Sequence, residues 1–318
     1  MSQREGEPHH NEVNKPSLIG LLTLVGGATA IALAPVFVRL SETGPTATAF
    51  YRIFFAQPIL WGIILFQQCG TQTSHRKENL PSKSLWPWFC LAGAMFALDM
   101  GFWHKSIHLT TLANSTLIAN AAPLFVVLGA RFFFKEKIHP MYGIILISAA
   151  IGMSMLVKAN ISKGGLALIG DVCALTTAFF YGAYQLCVKH LRNHRIGPVI
   201  ILSYSGISAF IILLTAALIQ GEQFAITTSK TAWALLGLSL ISHIGGQGLI
   251  VFAFGHLPAS LASISLLLQP VIVIFLGWFL ANESMDLIQM TGAVILLLSL
   301  YFATRMPPVE PKIKIERR

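Results

Sequence analysis

Charge is what this sequence has least of: 11% of its 318 residues are Asp, Glu, Lys or Arg, against roughly a quarter in an ordinary soluble domain. With 54% of residues hydrophobic, that scarcity excludes a soluble globular chain. The formal net charge is +9, yet the basic residues stand singly between apolar runs, with no patch interleaved with aromatics, which excludes a nucleic-acid surface. Cysteine is sparse as well. Cys69, Cys90, Cys173 and Cys187 form no Cys-x-x-Cys pair and no metal spacing, and they lie in or beside separate apolar runs, so neither a disulfide framework nor a zinc site is implied. No Walker loop of the Gly-x-x-x-x-Gly-Lys-Ser/Thr type occurs, which excludes an ATP-driven pump. The absence of His-Glu-x-x-His and Gly-x-Ser-x-Gly removes two common hydrolytic constellations. The sequence asks for no cofactor.

Long apolar runs are what it has. A helix crossing a bilayer needs about 20 mainly apolar residues, and ten such stretches are predicted: Leu18 to Val38, Thr46 to Phe66, Trp86 to His104, Leu112 to Phe134, Ile138 to Val157, Leu166 to Val188, Pro198 to Ile219, Ala232 to Phe254, Ala259 to Leu280 and Leu287 to Thr304. The connectors are short and rich in turn formers, as in Glu42-Thr43-Gly44-Pro45 and Lys163-Gly164-Gly165. The longest, Gln67 to Leu85, is too short for a soluble catalytic module. The first run imitates a signal peptide, with Lys15 before it and Ala30, Ala32 and Ala34 within it. It continues through Val38 and the next run follows after a short turn, so it is read as a retained helix.

Cytoplasmic loops carry the excess of Lys and Arg. With the N-terminus inside, the inner segments hold 16 basic residues and the outer segments five. Both termini are then expected in the cytoplasm of a cell whose inner membrane the chain spans many times, and the net charge reports orientation. A cytoplasmic tail at 1–17, a first five-helix unit at 18–157, a second at 166–304 and a basic tail at 305–318 complete the expected organisation.

An internal repeat runs through these units. Pro123 is followed by Glu136 as Pro270 is followed by Glu283, and both members of the second pair lie 147 residues beyond those of the first. Five spans per unit is an odd number, so the second unit is upside down relative to the first. Lys135-Glu136-Lys137 falls inside, and its counterpart Asn282-Glu283-Ser284 falls outside and lacks the cations. Inverted repeats of this kind are typical of secondary transporters, with a substrate site near the midplane between the halves.

Several motifs, in this order, carry a family resemblance: Gly44-Pro45 leading to Ala49-Phe50-Tyr51-Arg52, Ala113-Asn114-Ser115-Thr116-Leu117 running to Pro123, Glu136 with Gly152 beyond it, Gly170-Asp171, and Pro270 with Glu283. Nearly the whole chain resembles a ten-helix EamA-type member of the drug/metabolite transporter superfamily. The resemblance implies an all-α integral membrane protein of two inverted five-helix repeats that exports or takes up a small metabolite, coupled to protons or to exchange, without ATP. The chain departs from the family pattern in lacking a Trp-Gly pair in its first helix and a Gly before the loop Glu.

An ionisable group near the bilayer centre costs at least about 2.5 to 3.5 kcal/mol and asks for a function. Arg52 and Asp99 are the two such groups, at expected depths of roughly 9 and 8 Å from the outer surface. They are expected to pair across a cavity, either as transport machinery or as a fixed bridge between helices. Trp103 shares the face of Asp99, as do Met95, Phe96, Phe102 and Ser106; His104 does not, and it is expected at the interface with His108. Thr116, Asn120 and Pro123 fall on one stripe, and Ser265 and Gln269 precede Pro270. The two prolines mark kinks lining the path, with Asn120 and Gln269 either satisfying the carbonyls that proline frees or binding substrate. The offset sets Asp99 and Gly101 opposite Gly246 and Gly248, in a glycine cluster that also holds Gln247 and that serves either close helix packing or local unwinding. Tyr181, Tyr184 and Gln185 are candidates for the cavity wall or for packing.

The expected partners are a small polar solute with an apolar part, the lipid bilayer and protons as coupling ion; monomer and homodimer are both compatible. Rival readings are a membrane enzyme acting on a lipid-linked substrate, which lacks an acid, base or metal constellation at one depth, and a passive channel, which lacks a charged ring or filter repeat.

Overall fold

The computed structural model describes residues 17–69, 82–110, 115, 118–157, 165–272 and 287–306. They form an all-helical bundle of ten segments: α1 Leu18–Leu40, α2 Pro45–Gln68, α3 Lys83–Leu109, α4 Ala122–Phe133, α5 Met141–Val157, α6 Leu166–Asn193, α7 Pro198–Ile219, α8 Ser229–Phe254, α9 Ala259–Ile272 and α10 Leu287–Arg305. Seven of them are long and apolar enough to cross a membrane; α4, α5 and α9 are shorter apolar helices. The polarity of a soluble fold is inverted. Large apolar side chains such as Leu18, Leu22, Ile144, Leu168, Ile211 and Leu298 are exposed on the flanks, whereas Arg52, Asp99, Gln185 and Gln247 are buried. Lipid solvates the first group and only protein or enclosed water can solvate the second.

Packing follows a pseudo-twofold pattern that relates helix n to helix n+5. α3 lies along α6 as α1 lies along α8, while α2 meets α7, α4 meets α9 and α5 meets α10. Glycine permits two of these approaches. A Cβ on Gly27 of α1 would lie 2.8 Å from the Gly246 carbonyl oxygen of α8, and one on Gly152 of α5 would lie 2.8 Å from that of Gly292 on α10.

Several spans are interrupted, which sequence reading took as continuous. α1 breaks at Leu33, just before Pro35, and α2 breaks at Phe55. The fourth span turns at Asn120–Ala121, so that Pro123 sits in the first turn of α4, where its missing N–H costs nothing. α9 turns at Leu266–Leu267 ahead of Pro270. Asn120 and Leu267 differ by the repeat offset of 147, so the two halves break at equivalent positions. Residues 112–114 and 116–117 of the predicted fourth span and 273–280 of the ninth lie outside the described residues, as does Glu283.

Within α8 the stretch Leu238–Gln247 is a π-helix. The glycine cluster thus serves both expected purposes: Gly246 takes the close contact with α1, and the backbone around it is locally unwound. π-Turns of this kind are frequent at functional sites.

Candidate functional site

A cavity of about 110 Å³ opens at the centre of the bundle, where the breaks of α1, α9 and the fourth span converge. A single water needs about 10–15 Å³ on this measure, so several waters or a small solute fit. All eight residues singled out by sequence line it: Arg52, Asp99, Trp103, Asn120, Pro123, Gln247, Gln269 and Pro270. They come from both halves.

Arg52 lies seven residues into α2, about 10 Å from its start, and Asp99 lies ten residues before the end of α3, about 15 Å deep. Asp99 is deeper than the sequence suggested because α3 continues to Leu109. Each side chain is only 2% exposed. The Arg52 guanidinium donates to Met100 Sδ at 3.3 Å and sits over the Phe96 ring, 5.8 Å from its centroid. Asp99 is the foremost charge acting on Arg52, and Arg52 the one acting on Asp99. They do not touch, however. Neither a hydrogen bond nor an ion pair joins them, and Arg52 Nε and Asp99 Oδ2 are buried without partners. The expected contact pair is therefore replaced by two opposite charges facing one cavity across a gap. The depths differ, and the Arg52 side chain is drawn toward Met100 and Phe96.

Three more buried polar atoms on the lining lack partners: Gln185 Oε1, Gln269 Nε2 and Ser263 Oγ. Gln269 Nε2 has no partner, so it is not engaged by a carbonyl freed by Pro270. Five orphaned polar atoms on residues lining one cavity are costly unless a polar ligand or water completes them. Gln247 is partly satisfied, donating through Nε2 to Tyr184 Oη at 3.2 Å.

Sequence reasoning missed Ser263, Thr177 and Met100. It named Ser265, which instead bonds back to the Leu261 carbonyl at 2.8 Å. The signal for Ser263 was present, because the offset of 147 carries Thr116 onto it. The same offset carries Ala119, Asn120, Ala122 and Pro123 onto Leu266, Leu267, Gln269 and Pro270, and all eight line the cavity. Phe102 turns away from the cavity wall to stack on Phe180, with centroids 5.9 Å apart. His104 is fully buried, with Nδ1 2.7 Å from the Pro45 carbonyl oxygen, and pins the start of α2 to α3. Tyr181 and Gln185 line the cavity, and Tyr184 stands behind them.

Two carboxylates clamp the halves together outside the cavity. Glu136, ahead of α5, accepts from Ala259 N at 2.9 Å and Ser260 Oγ at 2.9 Å, capping the start of α9. Glu222, after α7, accepts from Thr46 Oγ1 at 2.8 Å and Ala47 N at 2.8 Å, capping the start of α2. Counting helices places the two clamps at opposite ends of the bundle.

The family model described as the EamA-like transporter family matches residues 18–158 and 168–305. Among characterised relatives, the pseudopaline exporter of Pseudomonas aeruginosa is 22% identical over 88% of this chain and 93% of its own length. The S-adenosylmethionine uptake transporter of Rickettsia conorii is 24% identical, with 78% of this chain and 79% of the relative aligned. A probable amino-acid metabolite efflux pump of Salmonella typhimurium is 25% identical over 59% of this chain and 65% of its own length. A solved crystal structure superposes with a TM-score of 0.70 at 16% identity, covering 90% of this chain and 97% of that one, which shows a shared fold.

Proposed function

The chain belongs to the EamA-like transporter family, and from that premise we propose that its central cavity is the substrate site of a secondary carrier for a small polar metabolite with an apolar part, such as an amino acid or a related compound. One observation carries the reading: residues of both inverted halves, at matching helix breaks, surround one cavity that holds five unpartnered polar atoms. Most buried polar atoms are partnered, so five unpartnered ones on residues lining a single cavity support a polar ligand there. Arg52 offers a planar fork to a carboxylate or phosphate. Trp103, Tyr181 and the apolar wall accept the rest of the solute.

Broken helices near the centre and clamps at opposite ends suit alternating access, in which one half rocks against the other and exposes the site to one side at a time. Coupling is to protons or to exchange, with no chemical step and no nucleotide. The relatives named for a transported compound include both exporters and an uptake carrier, so either direction suits this scaffold. By the distribution of Lys and Arg, both termini face the cytoplasm of a cell whose inner membrane holds the protein.

The test is counterflow in proteoliposomes over amino acids, nucleotides and S-adenosyl compounds, with and without a proton gradient, repeated with Arg52→Ala. At least one class should exchange, and the variant should lose most of that exchange. If no solute exchanges with the wild type, or the variant matches it throughout, the cavity is not the transport site.

A further inference from the structure

Charge breaks the symmetry of the site. The four fourth-span positions that line the cavity, Ala119, Asn120, Ala122 and Pro123, each have a lining counterpart on α9, and Met100 corresponds to Gln247. The two ionisable residues have no such counterparts: the offset places Gly246 opposite Asp99 and Val199 opposite Arg52. The first repeat therefore supplies one cation and one anion to the cavity, and the polar groups from the second are all neutral: Thr177, Tyr181, Gln185, Gln247, Ser263 and Gln269. Both charged residues are 2% exposed, each keeps an unpartnered polar atom, and no contact closes between them.

Two opposite charges held apart at one cavity suit a ligand that bears both signs a short distance apart. We infer that this site selects zwitterions, with Arg52 taking the ligand's carboxylate and Asp99 its ammonium group. The inference rests on the reading of the cavity as the transport site. A monoanion on Arg52 would lie beside the carboxylate of Asp99, and a monocation on Asp99 beside the guanidinium of Arg52, so each is opposed by the residue it does not need. A zwitterion satisfies both residues and adds no net charge to the cavity when the halves rock, which avoids the cost of carrying an ion through a low-dielectric interior.

The experiment compares three nearly isosteric probes in counterflow, in one series built on phenylalanine and another on leucine: the amino acid, its amide, which keeps only the ammonium, and the deaminated acid, which keeps only the carboxylate. Wild-type protein should exchange the amino acid at least tenfold faster than either singly charged probe in at least one series. Asp99→Asn should bring the deaminated acid level with the amino acid, and Arg52→Gln should do the same for the amide. Arg52→Lys, which keeps the charge, should retain the wild-type order, and unfolding temperatures in detergent check that each variant is folded. Equal acceptance of a singly charged probe by the wild type overturns the inference, as does an equal loss of all three probes in both charge-removing variants. If these series fail while nucleotides or another class exchange, zwitterion selection is wrong and the transport reading stands; if nothing exchanges, the transport reading itself falls.

Discussion

At the residue scale, the determining feature is the polar side chain left without a partner. A buried hydroxyl or amide without a hydrogen bond costs about 1–3 kcal/mol, and five such atoms belong to residues that line one cavity, while others, such as Gln57 Oε1 and the His243 ring nitrogens, lie elsewhere in the bundle. Ser263 and Ser265 make the contrast. Ser265 bonds back to its own helix and Ser263 faces the cavity with Oγ free. Replacing Ser263 by alanine should leave thermal stability unchanged or slightly raised, because an unsatisfied group is removed, and should weaken exchange by about threefold to tenfold, the worth of one hydrogen bond. Ser265→Ala should leave exchange unaltered. His104 combines both kinds: Nδ1 bonds to the Pro45 carbonyl and holds α2 to α3, while Nε2 is buried without a partner. His104→Phe should lower stability by about 1–2 kcal/mol, read as a lower midpoint of thermal unfolding in detergent, while solute preference stays as in the wild type.

At the element scale, function depends on where helices stop. Proline at Pro35, Pro123 and Pro270 cannot donate to the ladder, and each lies just after a turn or break and lines the cavity. Such breaks let half-helices tilt without unfolding the span. The carboxylate caps govern which end is closed. A cap of this type contributes about 0.5–2 kcal/mol, enough to shift a two-state equilibrium by roughly twofold to thirtyfold. Glu136→Gln should loosen the end carrying the start of α9, and Glu222→Gln the end carrying the start of α2. With a cysteine at Ala119, the two variants should change the rate of modification by an impermeant thiol reagent in opposite senses from a given side. A change in the same sense for both would separate the caps from gating. The close contact of α1 with α8 is equally local: Gly27→Leu has no room against Gly246 and should destabilise the bundle by about 1–3 kcal/mol or more.

At the scale of the whole molecule, the fold is a pseudo-symmetric frame with an asymmetric interior. Inversion of one five-helix unit on the other produces paired helix contacts and paired breaks, and so a cavity bounded equally by both halves. The orientation we propose in the membrane rests on the distribution of charge. Inner segments carry 16 basic residues against five outside. In intact cells, a cysteine placed at Gly221 should react with an impermeant thiol reagent and one at Lys135 should not; the reverse pattern would invert the assigned topology.

The sequence by itself determined the spans, their number, the internal duplication and the identity of the charged residues within the membrane, because hydropathy, helical period and repeat offset are local or linear properties of a chain. It also held Ser263, through the correspondence with Thr116, and the equivalence of Pro123 and Pro270. Tertiary structure alone decided that Arg52 and Asp99 face one another across a gap, that Gln269 is free, that His104 is buried, and that α8 unwinds into a π-stretch beside Gly27. Those outcomes depend on how far helices cross and which neighbour reaches a side chain first, distances of a few ångströms between segments far apart in sequence, and no pattern along a single helix encodes them.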